Sequence, residues 1–345
     1  MERTQKQYSS KSMVEKPKIT ISSSPFLHDQ VTTPKIMWEL SYTLVPILLA
    51  AVYYFGLSAL MVSAASIAGC LATEYYLGKK GPLGNPLRDG SALLTGLLLA
   101  LTLPPGFPLW MAFVGGVVAI GMGKVIWGGL GQNVFNPALV GRAFLQAAFP
   151  TAITTWEPPD GRYLGLRGTN LAPPFYQGEA VDALSTATPL SEMKFSHEPT
   201  ALADLFMGNI SGSLGETCGL LLLLACIYLI IRRIINWRIP VGILATVALF
   251  SGIVYLIAPD RYPSPGFMVL AGGLLLGAVY MATDPVSSPL GPKGIWIYSI
   301  GIGLLVVLIR IWGGLPEGVM YAILLMNAAT PLINRFVRPR VYGYS

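Results

Sequence analysis

The stretch IWGGLGQNVFNPALVGRAFLQAAFP, residues 126–150, decides between fold classes. From about residue 135 it is apolar enough for a bilayer, yet shorter than the roughly 20 residues that a straight span needs. Pro137 and Pro150 bound this run, and Gly128, Gly129 and Gly131 precede it. Gln132, Asn133 and Asn136 stand at its entry. Amides at membrane depth are costly unless paired. A short apolar run that opens on Gly, amides and Pro points to a broken or half-helix lining a polar site within a membrane body.

The pentamer IWGGL recurs at 311–315, again just before a closing apolar run. Between and around the two copies, runs of near-spanning length fall at about 37–55, 57–77, 89–103, 108–125, 135–150, 216–235, 240–258, 266–283, 295–312 and 317–334. Ten runs with a repeated element in the fifth and tenth positions predict an all-α polytopic membrane protein of two five-helix repeats. Halves of five spans have opposite topology, the inverted-repeat pattern of transporter-like folds. The predicted division is a cytoplasmic arm at 1–35, a first repeat at 36–150, an extracytoplasmic loop at 151–214, a second repeat at 215–336 and a cytoplasmic tail at 337–345.

Composition agrees. The 345 residues are 53% hydrophobic and 12% charged, with a mean hydropathy of +0.59. A soluble domain carries about 25% charged residues. Two histidines and three cysteines (Cys70, Cys218, Cys226) with no C-x-x-C offer no zinc or iron–sulfur spacing. GGLG at 128–131 lacks the Lys-Ser/Thr of a phosphate loop, and nothing suggests nucleic-acid binding. With the N-terminus inside, 17 of the 23 basic residues fall on the cytoplasmic side, Lys124 among them. Both termini are then cytoplasmic and residues 151–214 lie outside.

Within that outer segment, VDALSTATPL at 181–190 is dense in hydroxyls. Taken alone, Thr188 before Pro189 reads as a helix cap. The pattern Asp182-x-x-Ser185-x-Ala187-Thr188, however, resembles the flavinylation motif of the RnfD/NqrB family, with Thr186 where that family has glycine. GQNVFNPALVGRAFLQAAFP (131–150) and MATDPVSSP (281–289) resemble the family's signature elements in the two halves. The resemblance covers roughly residues 35–335, and the length is closer to RnfD than to NqrB.

That resemblance implies FMN joined through its phosphate to Thr188 by an extracytoplasmic flavin transferase, with Asp182, Ser185 and Ala187 shaping the recognised turn. It also implies a noncovalent riboflavin, for which Asn133 and Asn136 are candidates. Arg162, Arg167 or Lys194 could neutralise the phosphate, and Trp156, Tyr163, Phe175 and Tyr176 could stack on the ring. Intramembrane acids are functional candidates by default. Asp284 and Asp89 rank first for an ion path, then Glu74, with Glu39 reading as an interface residue. The implied function is a membrane electron-carrier subunit of an Rnf-type complex, a ferredoxin:NAD+ oxidoreductase that moves Na+ or H+ across a bacterial inner membrane with its partner subunits. The alternatives are an NqrB-type subunit of a Na+-translocating NADH:quinone reductase, or a channel or solute carrier without redox chemistry.

Overall fold

The structure, a computed structural model, describes residues 32–78, 86–159, 161, 163–167, 169–174, 186–198, 200–216, 218–259 and 261–337. Among these the chain is helical, with no strand. A helical element stands at each of the ten predicted runs. In the first half these are α1 (Thr33–Phe55), α2 (Leu57–Leu77), α3 (Ser91–Leu101), α4 (Leu109–Ile120) and α5 (Pro137–Ala148). In the second half they are α6 (Gly219–Ile231), α7 (Arg238–Ile257), α8 (Pro265–Leu270), α9 (Pro292–Trp312) and α10 (Val319–Phe336). Four of them, α1, α2, α7 and α9, are long and apolar enough to cross a bilayer by length and composition. The short ones include α3, α5 and α8, the helices of the Gly/Pro-flanked runs.

Local sequence sets these boundaries. Pro137, Pro265 and Pro292 occupy first turns, where no N–H is needed. Asn136 and Ser264 cap the helices that follow them. Gly56 turns the chain between α1 and α2 at a φ of 70°, a conformation that L side chains rarely take. π-type i→i+5 bonds follow two of the helices: Ile126 N–H donates to Gly121 O after α4, and Ala282 N–H to Gly277 O after α8. Such turns widen a helix locally and are frequent at functional sites.

The halves are built alike. In each, the second helix packs most extensively against the fourth, α2 on α4 and α7 on α9. Both crossings use glycine for close approach. A Cβ on Gly69 or Gly116 would overlap the backbone of the facing helix, and one on Gly242 or Gly303 would strike Ser299 or Thr246. Lipid chains are as apolar as leucine, so helices in a bilayer associate through such close packing rather than through hydrophobic exclusion. Large apolar side chains accordingly face outward, among them Leu49, Tyr53, Leu249, Leu256 and Phe336. The three cysteines are free and buried.

Gly116→Leu should therefore separate α2 from α4. Overpacking of this kind costs about 1–3 kcal/mol, and the check is the thermal midpoint of the purified chain in detergent. A midpoint equal to wild type would show that the close crossing is not needed.

Candidate functional site

At one end of the body, α4 runs through its π turn to Lys124. The charge pattern of the sequence counts Lys124 with the cytoplasmic-side cations; in the structure its side chain is buried, only 2% exposed. Its ammonium donates to Glu74 Oε1 at 2.9 Å and to Ser91 Oγ at 2.6 Å, and lies 3.8 Å from Asp89 Oδ2. Asp89 in turn accepts from the N–H and hydroxyl of Ser91 at the start of α3. Two predicted ion-path residues, Glu74 and Asp89, thus meet around a cation that the π turn aims inward. Glu74 keeps one oxygen, Oε2, buried and without a partner. Glu39 stands apart, paired with the half-exposed Arg232.

The amides of the opening stretch join the halves. Asn136 Oδ1 accepts from Ala138 and Leu139 N–H and caps α5, while its Nδ2 donates to Met281 O in the second half. Asn133 Nδ2 donates to Phe135 O and, at 3.4 Å, to Asp284 Oδ2. Asp284 also accepts from Ser287 Oγ and Val286 N–H, and no cation pairs with it among the described residues. Asn133 Oδ1 is buried with no partner. A cavity of about 50 Å³ lies here, lined by Ser91, Lys124, Asn133, Asn136, Thr283 and Asp284, among others. The structure therefore brings Asn133, Asn136 and Asp284 to the same cavity as Lys124.

A second buried charge cluster sits where the other helices break. Arg142 on α5 donates to Thr102 O, the carbonyl freed at the end of α3. Arg310 on α9 donates to Met268 O at 2.6 Å and Ala271 O at 2.9 Å, the carbonyls freed by the end of α8. Glu317 accepts from Gly273 N–H at 2.9 Å and lies 3.6 Å from Arg310. Glu216 accepts from Ser213 Oγ. Sequence reasoning does not single out Glu216 or Glu317. A signal for Glu317 exists: it stands six residues after the start of the second IWGGL, where Gln132 stands after the first.

Thr188 opens directly toward this cluster. Its side-chain oxygen caps the short helix Pro189–Ser191, accepting from Ser191 N–H at 3.3 Å and sharing a 3.0 Å hydrogen bond with Ser191 Oγ. It lines a cavity of about 70 Å³ together with Arg142, Trp156, Glu216, Glu317 and Tyr321. Leu190 is shared with a larger cavity of about 320 Å³, whose lining includes Lys194, His197, Arg261, Tyr262, Arg310 and Trp312. Thr186 turns away, with its hydroxyl donating to Ser211 Oγ or Trp156 O and its N–H to Trp156 O.

Of the expected phosphate partners, Arg167 donates to Pro158 O and Tyr54 O. Lys194 is tied to the carbonyls of Ile309, Gly313 and Leu315, and burial lowers the pKa of its ammonium. Arg142, which the sequence does not suggest, is the cation beside Thr188. Trp156 is brought to Thr188, whereas Tyr163 packs near Tyr53. Asp182, Ser185, Arg162, Phe175 and Tyr176 lie outside the described residues.

The likeness to known proteins runs along nearly the whole chain. The model of the NQR2, RnfD, RnfE family matches residues 20–343. The chain is 41% identical over 338 residues to the D subunit of the proton-translocating ferredoxin:NAD(+) oxidoreductase complex of Clostridium ljungdahlii, covering 94% of this chain and 96% of that one. It is 44% identical over 331 residues to the D subunit of the ion-translocating oxidoreductase complex of Stutzerimonas stutzeri, covering 90% and 92%. It is 42% identical over 330 residues to the D subunit of the Na(+)-translocating ferredoxin:NAD(+) oxidoreductase complex of Acetobacterium woodii, covering 94% and 95%.

Asn136 uses both ends of its amide inside the protein. Asn136→Leu should remove the cap of α5 and the bond to Met281 O together, costing about 2–3 kcal/mol. Asn136→Asp keeps the capping oxygen and should lose less. Thermal midpoints of the two variants check this; equal losses would assign the cost to the interhalf bond alone.

Proposed function

The chain belongs to the NQR2, RnfD, RnfE family, and from that premise we propose that it is the membrane electron-carrier subunit of an Rnf-type ion-translocating ferredoxin:NAD+ oxidoreductase. The observation that carries this reading is the extent of the likeness, which spans both halves and the loop between them in all three relatives. A channel or carrier without redox chemistry has no such support. The chain would work in a bacterial inner membrane, with both termini cytoplasmic and Thr188 outside, as the basic-residue asymmetry indicates. Ferredoxin- and NAD-handling sites would belong to other members of the complex. Its ion would be Na+ or H+, since the names of its relatives differ on this.

FMN attached by a flavin transferase to Thr188 is the cofactor proposed. The residues fit it in three ways. Thr188 lines a cavity, Arg142 lines that cavity as a cation for a phosphate, and the neighbouring 320 Å³ space has aromatic walls in Tyr262 and Trp312. Bound there, FMN would supply one- and two-electron redox chemistry. A charged phosphate belongs in such a wet, cation-lined place rather than in hydrocarbon. Asn133 and Asn136 do not fit a tricyclic riboflavin as they stand. Asn136 is used at both ends, and the cavity of about 50 Å³ is far below the roughly 300 Å³ of small ligand sites.

The energetics allow coupling. Moving one charge against 100 mV requires about 2.3 kcal/mol. A two-electron step of about 30 mV releases roughly 1.4 kcal/mol, so a drop of about 50 mV balances one charge. Glu74, Asp89 and Asp284 are the residues of this chain that would hold the ion within the bilayer.

Thr188→Val keeps the shape but lacks the oxygen, so it should abolish in-gel flavin fluorescence under denaturing conditions. Thr186→Gly should leave that fluorescence intact. Fluorescence that persists in Thr188→Val would refute the attachment site.

A further inference from the structure

The Lys124 cluster asks for more than a structural ion pair. Two carboxylates, Glu74 and Asp89, meet the Lys124 ammonium, and a third, Asp284, lines the same cavity as Lys124. Lys124 is the only cation lining that cavity among the described residues; apart from Asp284 its other polar lining groups, Ser91, Thr95, Asn133, Asn136, Thr283 and Tyr280, are neutral. Uncompensated charge in a low-dielectric body is strongly unfavourable, so a further positive charge is called for. Two buried acceptors are also unused: Glu74 Oε2, and Asn133 Oδ1 in the cavity wall.

The ligands of the Lys124 ammonium are themselves informative. A carboxylate oxygen at 2.9 Å, a hydroxyl at 2.6 Å and a second carboxylate at 3.8 Å form an all-oxygen surround. Hard cations select such oxygen sets. The cavity beside it, about 50 Å³, has room for an ion and a few waters. Across that cavity stands Asp284, which has hydrogen-bond donors but no cationic partner among the described residues. The first half supplies Glu74, Asp89, Ser91 and Lys124, and the second supplies Asp284 and Thr283, so the site lies at the interface of the repeats.

We propose that Lys124 is a resident counter-ion in a site for a monovalent cation, and that the translocated cation passes this point by displacing its ammonium from Glu74 and Asp89 toward Asp284. The proposal rests on the ion-path reading above and gives that path a gate. When no ion is present, the internal ammonium supplies the positive charge beside Glu74 and Asp89. It also sets the ion concentration at which the site fills, because the incoming cation must outcompete it.

The test uses the purified complex reconstituted in vesicles, driven by reduced ferredoxin and NAD+. The half-saturating concentration for turnover is measured in two series, Na+ at fixed pH and protons at fixed Na+, which separates the two ion sources. If the ammonium occupies the site in about nine molecules of ten, Lys124→Met should lower the half-saturating concentration of the translocated cation about tenfold. Lys124→Arg, whose planar fork grips carboxylates bidentately, should raise it or abolish the response. An unchanged or raised value in Lys124→Met, in complex with normal flavin content, overturns the proposal. If Lys124→Met does not assemble, a wild-type cation response in Lys124→Arg overturns it. A wild-type complex without cation dependence in either series would instead sink the ion-path reading itself.

Discussion

Every backbone polar group inside a bilayer must find a partner within the protein. Here α3 and α8 end inside the body and α5 begins there, so their freed carbonyls and N–H groups have no helix of their own to complete them. The partners come from across the break. Arg142 takes the carbonyl of Thr102, and Arg310 those of Met268 and Ala271. Glu317 takes Gly273 N–H, and Asn136 caps α5 while holding Met281 O. Even the approach to α6 joins in, with Leu214 and Gly215 N–H donating to Leu103 and Leu101 carbonyls. Shortening a helix thus obliges the fold to bury arginine, glutamate and asparagine at its centre.

Those obligations place the chemistry. The fourth helix of each half ends in a buried cation next to IWGGL, Lys124 in α4's π turn and Arg310 near the end of α9. Each pairs with acid, Lys124 with Glu74 and Asp89, Arg310 with Glu317. Ser91 at the start of α3 belongs to one cluster and Thr102 just after its end to the other, so the two clusters sit at opposite ends of α3. One adjoins the Asp284 cavity and the other the cavity of Thr188. The proposed flavin anchor at one cluster and the proposed ion site at the other would then be connected through the same set of broken helices.

Much of this is legible in the residues, and the reason is physical. Apolar runs, Pro at first turns and Asn or Ser before them mark helix starts directly, and all ten runs carry helices. Thr188 before Pro189 reads as a cap, and it is one. Lys124 escapes a linear reading because a lysine at the end of a run looks like a loop cation. Only the α2–α4 packing reveals that Glu74 waits for it. Arg142 escapes for the same reason: its partner is the carbonyl of Thr102, 40 residues away, which no local spacing encodes. Asn133 and Asn136 stand out for their cost at membrane depth, but capping and flavin contact make the same demand on an amide until geometry shows that Asn136 is used at both ends.

On the proposed function, redox and ion chemistry would meet in one chain through a flavin anchored at Thr188, and that proposal is open to one direct measurement. Fragment-ion mass spectrometry of the wild-type chain, isolated from its native membrane, reads the mass carried by each residue of the 181–190 segment. The expected result is the mass of one FMN less a water, located on Thr188. An unmodified segment, or the same mass on Thr186 or Ser185, would contradict it.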